Sequence, residues 1–198
     1  MGRPEVIDLD TPRGAARIHL NKASDPRGML ILGHGGGGGV AARDLQAAAK
    51  AAETKNLTVA LVEQPYRVAG RRSPPPAHHL DEAWLSIVEQ LQPQQPLITG
   101  GRSSGARVAC RTAAATNAAG VLCLAFPFRP PGKEQTRLDE LRAVGVPVLI
   151  VQGAHDPFGI PPRGPNRRRV IVNGDHSLKA DLDAVSRAVA AWLKLRIA

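Results

Sequence analysis

The chain has 198 residues, a formal net charge of +9 and only 3% aromatic residues. That length predicts a single domain over residues 1–198 that buries roughly 70% of its unfolded surface, around a core of aliphatic side chains and alanine. No run approaches a membrane span, and the charged start (Arg3, Glu5, Asp8, Asp10) lacks the apolar stretch of a secretory signal, so a cytoplasmic protein is expected.

Residues 5–10 and 16–20 read as short strands joined by the turn Thr11-Pro12-Arg13-Gly14, an antiparallel hairpin. A strand over 28–33 runs into the glycine loop Gly35-Gly36-Gly37-Gly38-Gly39, and a helix follows over 41–54. The loop lacks the Gly-Lys-Ser/Thr that a nucleotide phosphate loop requires. Residues 57–62 form a strand, and 64–77 a Pro- and Arg-rich loop. An amphipathic helix over 80–91 carries Trp84, Leu85, Val88 and Leu91 at helical spacing. His78 and His79, just before it, are expected to face solvent.

Next comes Leu97-Ile98-Thr99-Gly100-Gly101-Arg102-Ser103-Ser104-Gly105, an apolar run into Gly-x-Ser-x-Gly, then a small-residue helix to about Thr116. This reads as strand, sharp turn and helix, with Ser103 at the apex; Gly101 and Gly105 let the two elements approach without Cβ clashes. A serine at a helix N-terminus sits where negative charge is favoured, which makes it a candidate nucleophile. A strand over 120–126, a loop over 127–136 and a short helix over 137–143 follow, leaving no room for a large lid. Cys110 and Cys123 lie in apolar settings, as core thiols do.

The last two strands, Val146–Val151 and Arg169–Val172, end at Gln152-Gly153-Ala154-His155-Asp156-Pro157 and Asn173-Gly174-Asp175-His176-Ser177; a closing helix covers 178–196. Strand–helix alternation predicts an α/β fold, a mostly parallel twisted sheet with helices on both faces. The glycine loop, Ser103, Asp156 and His176 each follow the carboxyl end of a strand, and those ends share one edge where ligands bind. The order serine, acid, histidine is that of an α/β-hydrolase triad. Arg167, Arg168 and Arg169 enter a strand at the opposite edge, and no basic motif interleaved with aromatics accompanies them, so nucleic acid is not the expected partner.

The chain also resembles a known family. The segments that carry the likeness are Gly33-His34-Gly35-Gly36-Gly37, Gln64-Pro65-Tyr66-Arg67 with Ala69-Gly70-Arg71-Arg72, and Gly100-Gly101-Arg102-Ser103-Ser104-Gly105-Ala106-Arg107. Phe126-Pro127-Phe128, Pro130-Pro131-Gly132-Lys133, Gln152-Gly153, Asp156-Pro157-Phe158-Gly159 and Gly174-Asp175-His176-Ser177 complete it. It is similar to small α/β-hydrolases, distantly to dienelactone hydrolases, and most to a compact group that includes the hydrolase-like domain of an animal histone-acetyltransferase complex subunit. One departure is Ser104-Gly105-Ala106, where relatives usually carry Met-Gly-Gly. The resemblance implies an α/β-hydrolase fold with little or no lid and an esterase-like serine hydrolase.

The chemistry expected is acyl transfer to Ser103, with His176 as base then acid and Asp156 holding its tautomer. Asp175 competes for the acid role but adjoins His176, and adjacent side chains diverge. The oxyanion would meet the Ser104 N–H, with the family pattern pointing to Gly36 for the second donor. His155-Asp156 and Asp175-His176 match no metal-ligand spacing, so no metal or cofactor is expected. The loop bearing Tyr66, Arg67, Arg71 and Arg72 is either a solvated basic loop or a binding surface whose Arg67 or Arg71 attracts an anionic substrate. Phe126 is expected to line a small acyl pocket, and Phe128 and Phe158 either line it too or pack the loops down. Two functions remain on the sequence alone: a hydrolase of small soluble esters, thioesters or lactones, and a hydrolase-like interaction module.

Overall fold

The computed structural model describes residues 4–197. Strands β1 (Glu5–Thr11) and β2 (Gly14–Asn21) form the expected antiparallel hairpin. Ile7, Leu9, Ala16, Ile18 and Leu20 alternate with polar neighbours, and this period of two turns the apolar set onto one face. The chain continues through β3 (Met29–Gly33), α1 (Arg43–Glu53), β4 (Thr58–Glu63), α2 (Pro65–Val68), α3 (Ala77–Leu91), β5 (Leu97–Arg102) and α4 (Ser104–Thr112). It ends with β6 (Gly120–Leu124), α5 (Leu138–Arg142), β7 (Val148–Gly153), β8 (Arg167–Val172) and α6 (Leu182–Lys194).

The eight strands lie in the order β1-β2-β4-β3-β5-β6-β7-β8. β2 pairs antiparallel with β1 and β4, and every other pairing is parallel. Strands such as β3 read as unbroken apolar runs because both faces are covered. Leu30 and Leu32 pack toward α1 and α6, whereas Met29 and Ile31 pack toward α3. Helices α4 and α5 close that second face farther along the sheet. Consecutive loops therefore diverge: β3 leads to α1 on one face and its neighbour β5 to α4 on the other. The crevice at such a switch point is where ligands bind in open α/β sheets.

Several segments differ from the sequence reading: α3 begins at Ala77 rather than 80, which places His78 and His79 inside it, and α4 ends at Thr112 rather than about Thr116. The loop expected over 64–77 contains α2, started by Pro65, whose fixed φ suits a first helical turn. The closing helix begins at Leu182 rather than 178, because Asp181 caps it by accepting the Ala184 N–H at 2.9 Å. The run of arginines starts β8 at Arg167, two residues early, on the strand at the rim of the sheet. Only the five-residue α5 and its flanking loops link β6 to β7, and among the described residues no lid covers the carboxyl edge. No helix among the described residues is long and apolar enough to cross a membrane. Cys110 and Cys123 are buried free thiols with Sγ atoms 3.6 Å apart.

Candidate active site

Ser103 stands between β5 and α4 at φ 51° and ψ −108°, a conformation that a non-glycine residue adopts only when its surroundings impose it. The surroundings do. Its N–H donates to the Leu124 carbonyl at 2.9 Å, and its own carbonyl accepts from Arg107 at 3.2 Å. A Cβ on Gly101 would run into the Gly33 carbonyl and come within 2.7 Å of the Gly105 backbone. One on Gly105 would meet that same carbonyl and the His34 oxygen at 2.9 Å. Neither contact is tolerable, so only glycine lets β3, β5 and α4 close around the turn. The turn leaves the Ser103 side chain partly exposed at the carboxyl edge.

The turn after β8 brings His176 to that hydroxyl, with Nε2 3.0 Å from Ser103 Oγ. Its Nδ1 lies 2.8 Å from Asp156 Oδ2, carried on the turn after β7. The Asp156 side chain is wholly buried yet fully engaged. Oδ1 accepts the Phe158 N–H at 2.9 Å, and Oδ2 also accepts Gln152 Nε2 at 2.8 Å. With Asp156 as acceptor, Nδ1 carries the proton and Nε2 presents its lone pair to Ser103. The Phe158 ring packs against the imidazole at 4.4 Å between centroids, tilted by 40°. Asp175 turns away: its Oδ1 accepts the Ser177 N–H at 2.9 Å and hydroxyl at 2.5 Å, and those bonds hold its carboxyl below the ordinary value.

The glycine loop lies against the same serine. Cβ positions on Gly35 and Gly36 would sit 3.6 Å from Ser103 Cβ and 3.9 Å from Ser104 Cβ. Two side chains fix this loop. His34 is buried, accepts the Gln64 N–H at Nε2 (3.1 Å), and therefore donates from Nδ1 to the Gly35 carbonyl at 2.8 Å. Burial holds its basicity below the ordinary imidazole value, which keeps the ring neutral. Tyr66 donates its hydroxyl to the Gly36 carbonyl at 2.8 Å, and burial pushes that phenol up to about 12. Because each peptide is planar and trans, pinning the Gly35 and Gly36 carbonyls also pins the N–H groups of Gly36 and Gly37, which point the opposite way.

Of the residues expected to touch substrate, Tyr66 is 6% exposed, and its hydroxyl is committed to the loop. Arg67 is half-exposed and donates one bond, to the Arg71 carbonyl at 3.2 Å. Phe126 corrects the expectation of a pocket wall: it is fully buried among Ala106, Cys110, Leu141 and Ile150, and its carbonyl accepts from Gln152 at 3.1 Å. Its strand ends in a turn that folds the ring under the sheet edge rather than over it. The sequence reading assigned no role to Gln152 or to the His34 side chain. Polar residues at the ends of apolar runs were the only signal. Among the described residues no group of three or more His, Cys, Asp or Glu side chains is placed to hold a metal ion. His155 is exposed, and the expectation that His78 and His79 face solvent holds fully for His78 and in part for His79.

Residues 26–187 match the sequence profile of the family described as "Alpha/beta hydrolase domain". No curated protein matches the sequence significantly. Solved structures do. An alpha-beta serine hydrolase homologue from Coxiella burnetii superposes with a TM-score of 0.80 at 16% identity, covering 98% of this chain and 99% of that one. A serine hydrolase without lid from Xanthomonas campestris gives 0.73 at 19% identity, over 97% and 96%. A dienelactone hydrolase from Anabaena variabilis gives 0.75 at 16% identity, over 98% and 99%. Identities this low speak to the shared fold.

Proposed function

Since the chain belongs to the α/β-hydrolase domain family, we propose that it is a serine hydrolase that cleaves small esters, thioesters or lactones through an acyl-enzyme. The observation that carries this is the unbroken relay from Ser103 Oγ to His176 Nε2 (3.0 Å) and from His176 Nδ1 to Asp156 Oδ2 (2.8 Å). In the first half-reaction His176 takes the Ser103 proton as Oγ attacks the carbonyl carbon, then returns it to the leaving oxygen or sulfur. Water repeats the sequence to release the acid. Asp156 keeps the imidazole in the tautomer the first step needs and stabilises the cation that forms. The negative charge of each tetrahedral intermediate meets the N–H of Ser104 at the start of α4 and the N–H of Gly36. That second donor is set before reaction by His34, which holds the Gly35 carbonyl of the same peptide, while Tyr66 holds the next peptide of the loop; preorganised donors of this kind are worth about 10²–10³ each in turnover.

Substrate size follows from the absence of a lid: the reacting serine opens on solvent, so nothing shields a long acyl chain from water. Phe158, against the imidazole, supplies apolar contact for a short one. Anionic members of the class have a partner in Arg67, whose guanidinium donates only one bond within the chain among the described residues. Hydrolysis of p-nitrophenyl acetate tests the reading. The wild type is expected to turn over acetate faster than decanoate, and Ser103→Ala to fall to the uncatalysed rate. Equal turnover by Ser103→Ala would reject it. No turnover by folded wild type would favour a binding module built on the same fold.

A further inference from the structure

Arg102 lies one residue before Ser103, and its side chain enters none of the steps above. Yet the side chain is only 18% exposed, and each of its three guanidinium nitrogens faces a different part of the chain. Nη2 donates to the main-chain carbonyl of His176 at 2.9 Å. Nε stands 2.9 Å from Asp44 Oδ2, near the start of α1. Nη1 covers Gly35, 2.7 Å from where a Cβ on that residue would be. A single planar group thus spans the histidine turn, the first turn of α1 and the glycine loop, while its own backbone is locked into β5 beside Leu124.

The carbonyl it holds matters. Residues 174–178 form an irregular turn with positive φ at Gly174 (130°) and Leu178 (53°). No main-chain N–H among the described residues takes the His176 carbonyl; Arg102 does. Asp44 is 1% exposed, a carboxylate that burial disfavours and the Arg102 charge favours. Their close approach is an ion pair rather than a linear hydrogen bond, since Asp44 Oδ2 has no partner of good geometry. Buried carboxylates of this kind persist only beside a counter-charge, and here the pairing orients the guanidinium.

We propose that Arg102 is a positioning residue for the reaction assigned above: anchored by Asp44, it sets the His176 turn and the glycine loop at their working distances from Ser103. The inference rests on the serine-hydrolase reading. A ring displaced by about 1 Å is worth up to about 10² in turnover, with substrate affinity largely kept.

The test compares ester hydrolysis and fluorophosphonate labelling of Ser103 in the wild type, Arg102→Met, Arg102→Lys, Arg102→Ala, Asp44→Asn and the double variant Asp44→Asn/Arg102→Met. Arg102→Met is expected to lose about 10²-fold in kcat with KM within about twofold, and to label more slowly by a similar factor. Arg102→Lys, one point charge in place of a fork, should remain well below the wild type. Asp44→Asn should fall between. Added guanidinium ion should restore at least tenfold of the activity lost in Arg102→Ala. The double variant removes the buried charge pair together, so it keeps the test open if Arg102→Met does not fold. It is expected to be folded and still slow. Wild-type turnover and labelling in the double variant would overturn the proposal, because Arg102 would then serve only to neutralise Asp44. If the wild type itself neither labels nor turns over, the hydrolase reading fails and this inference with it. If the wild type labels and every Arg102 variant matches it, only this inference fails.

Discussion

Asp156 illustrates how much of the site is decided by side chains that never meet a substrate. Its carboxylate accepts from His176, Phe158 and Gln152, and the last of these is fully buried with Oε1 unpartnered. A hydrogen bond to a charged group contributes about 1.5–3 kcal/mol. Gln152→Leu, close in volume, should therefore lower kcat by about 10- to 100-fold with KM little changed, measured by steady-state ester hydrolysis. Unchanged kcat would show that His176 and Phe158 orient Asp156 unaided. Ser103, Asp156 and His176 could be picked out of the sequence because each follows an apolar run in a fixed order. Gln152, His34 and Arg102 could not, since their partners lie up to 74 positions away and polar pairing leaves no periodic trace. Phe126 went astray for a related reason: an aromatic at a strand end can turn over the edge or under it, and only the packing of α4 and α5 decides.

At the level of elements, the site exists because β3, β5 and α4 come closer than side chains permit. Gly105 shows this most directly, with the Gly33 and His34 carbonyls where its Cβ would be. Gly105→Ala should cost about 1–3 kcal/mol of stability, as other forced overpackings do. Gly145→Ala, where a Cβ would meet nothing within 4 Å, should be neutral within about 0.5 kcal/mol. Urea denaturation of both measures the contrast, and equal stabilities would mean the turn has slack. The Gly-x-Ser-x-Gly spacing announced this contact, because two glycines flanking a strand–helix turn have few other uses. The alternation of strands and helices was legible as well, through its apolar runs. Helix α2 was not, because a four-residue helix has too short a period to register. Its Pro65 was the available cue.

Across the whole molecule, the positive charge and the buried His34 both bear on how the fold responds to acid. Burial lowers the His34 pKa in the folded protein, so on acidification the unfolded chain takes up its proton first, near the ordinary 6.5. Stability contributed by the neutral ring is complete above that value and is lost as pH falls from there toward the lower folded pKa. The urea midpoint should drop between pH 7.5 and pH 5.5, and His34→Asn should flatten that slope, while repulsion from the net charge of +9 acts on both proteins alike. Parallel slopes would show that His34 ionises as freely folded as unfolded. The same charge suggested nucleic acid at first sight, and its placement argued otherwise: Arg167, Arg168 and Arg169 lie at the amino end of the rim strand β8, away from the crevice. Protonation of His34 would fall on Nε2 and cost the bond from the Gln64 N–H, while Nδ1 would still donate to the Gly35 carbonyl, so the acid response of the fold acts through the Gln64 contact.

Covalent labelling by a fluorophosphonate, read as the modified residue by mass spectrometry, reaches the central claim most directly, since it requires an activated hydroxyl and prepared oxyanion donors but no knowledge of the substrate. The expected result is one adduct on Ser103 in the wild type, absent from Ser103→Ala and formed far more slowly in His176→Ala. Folded wild-type protein that takes up no probe, or an adduct that persists in Ser103→Ala, would contradict it.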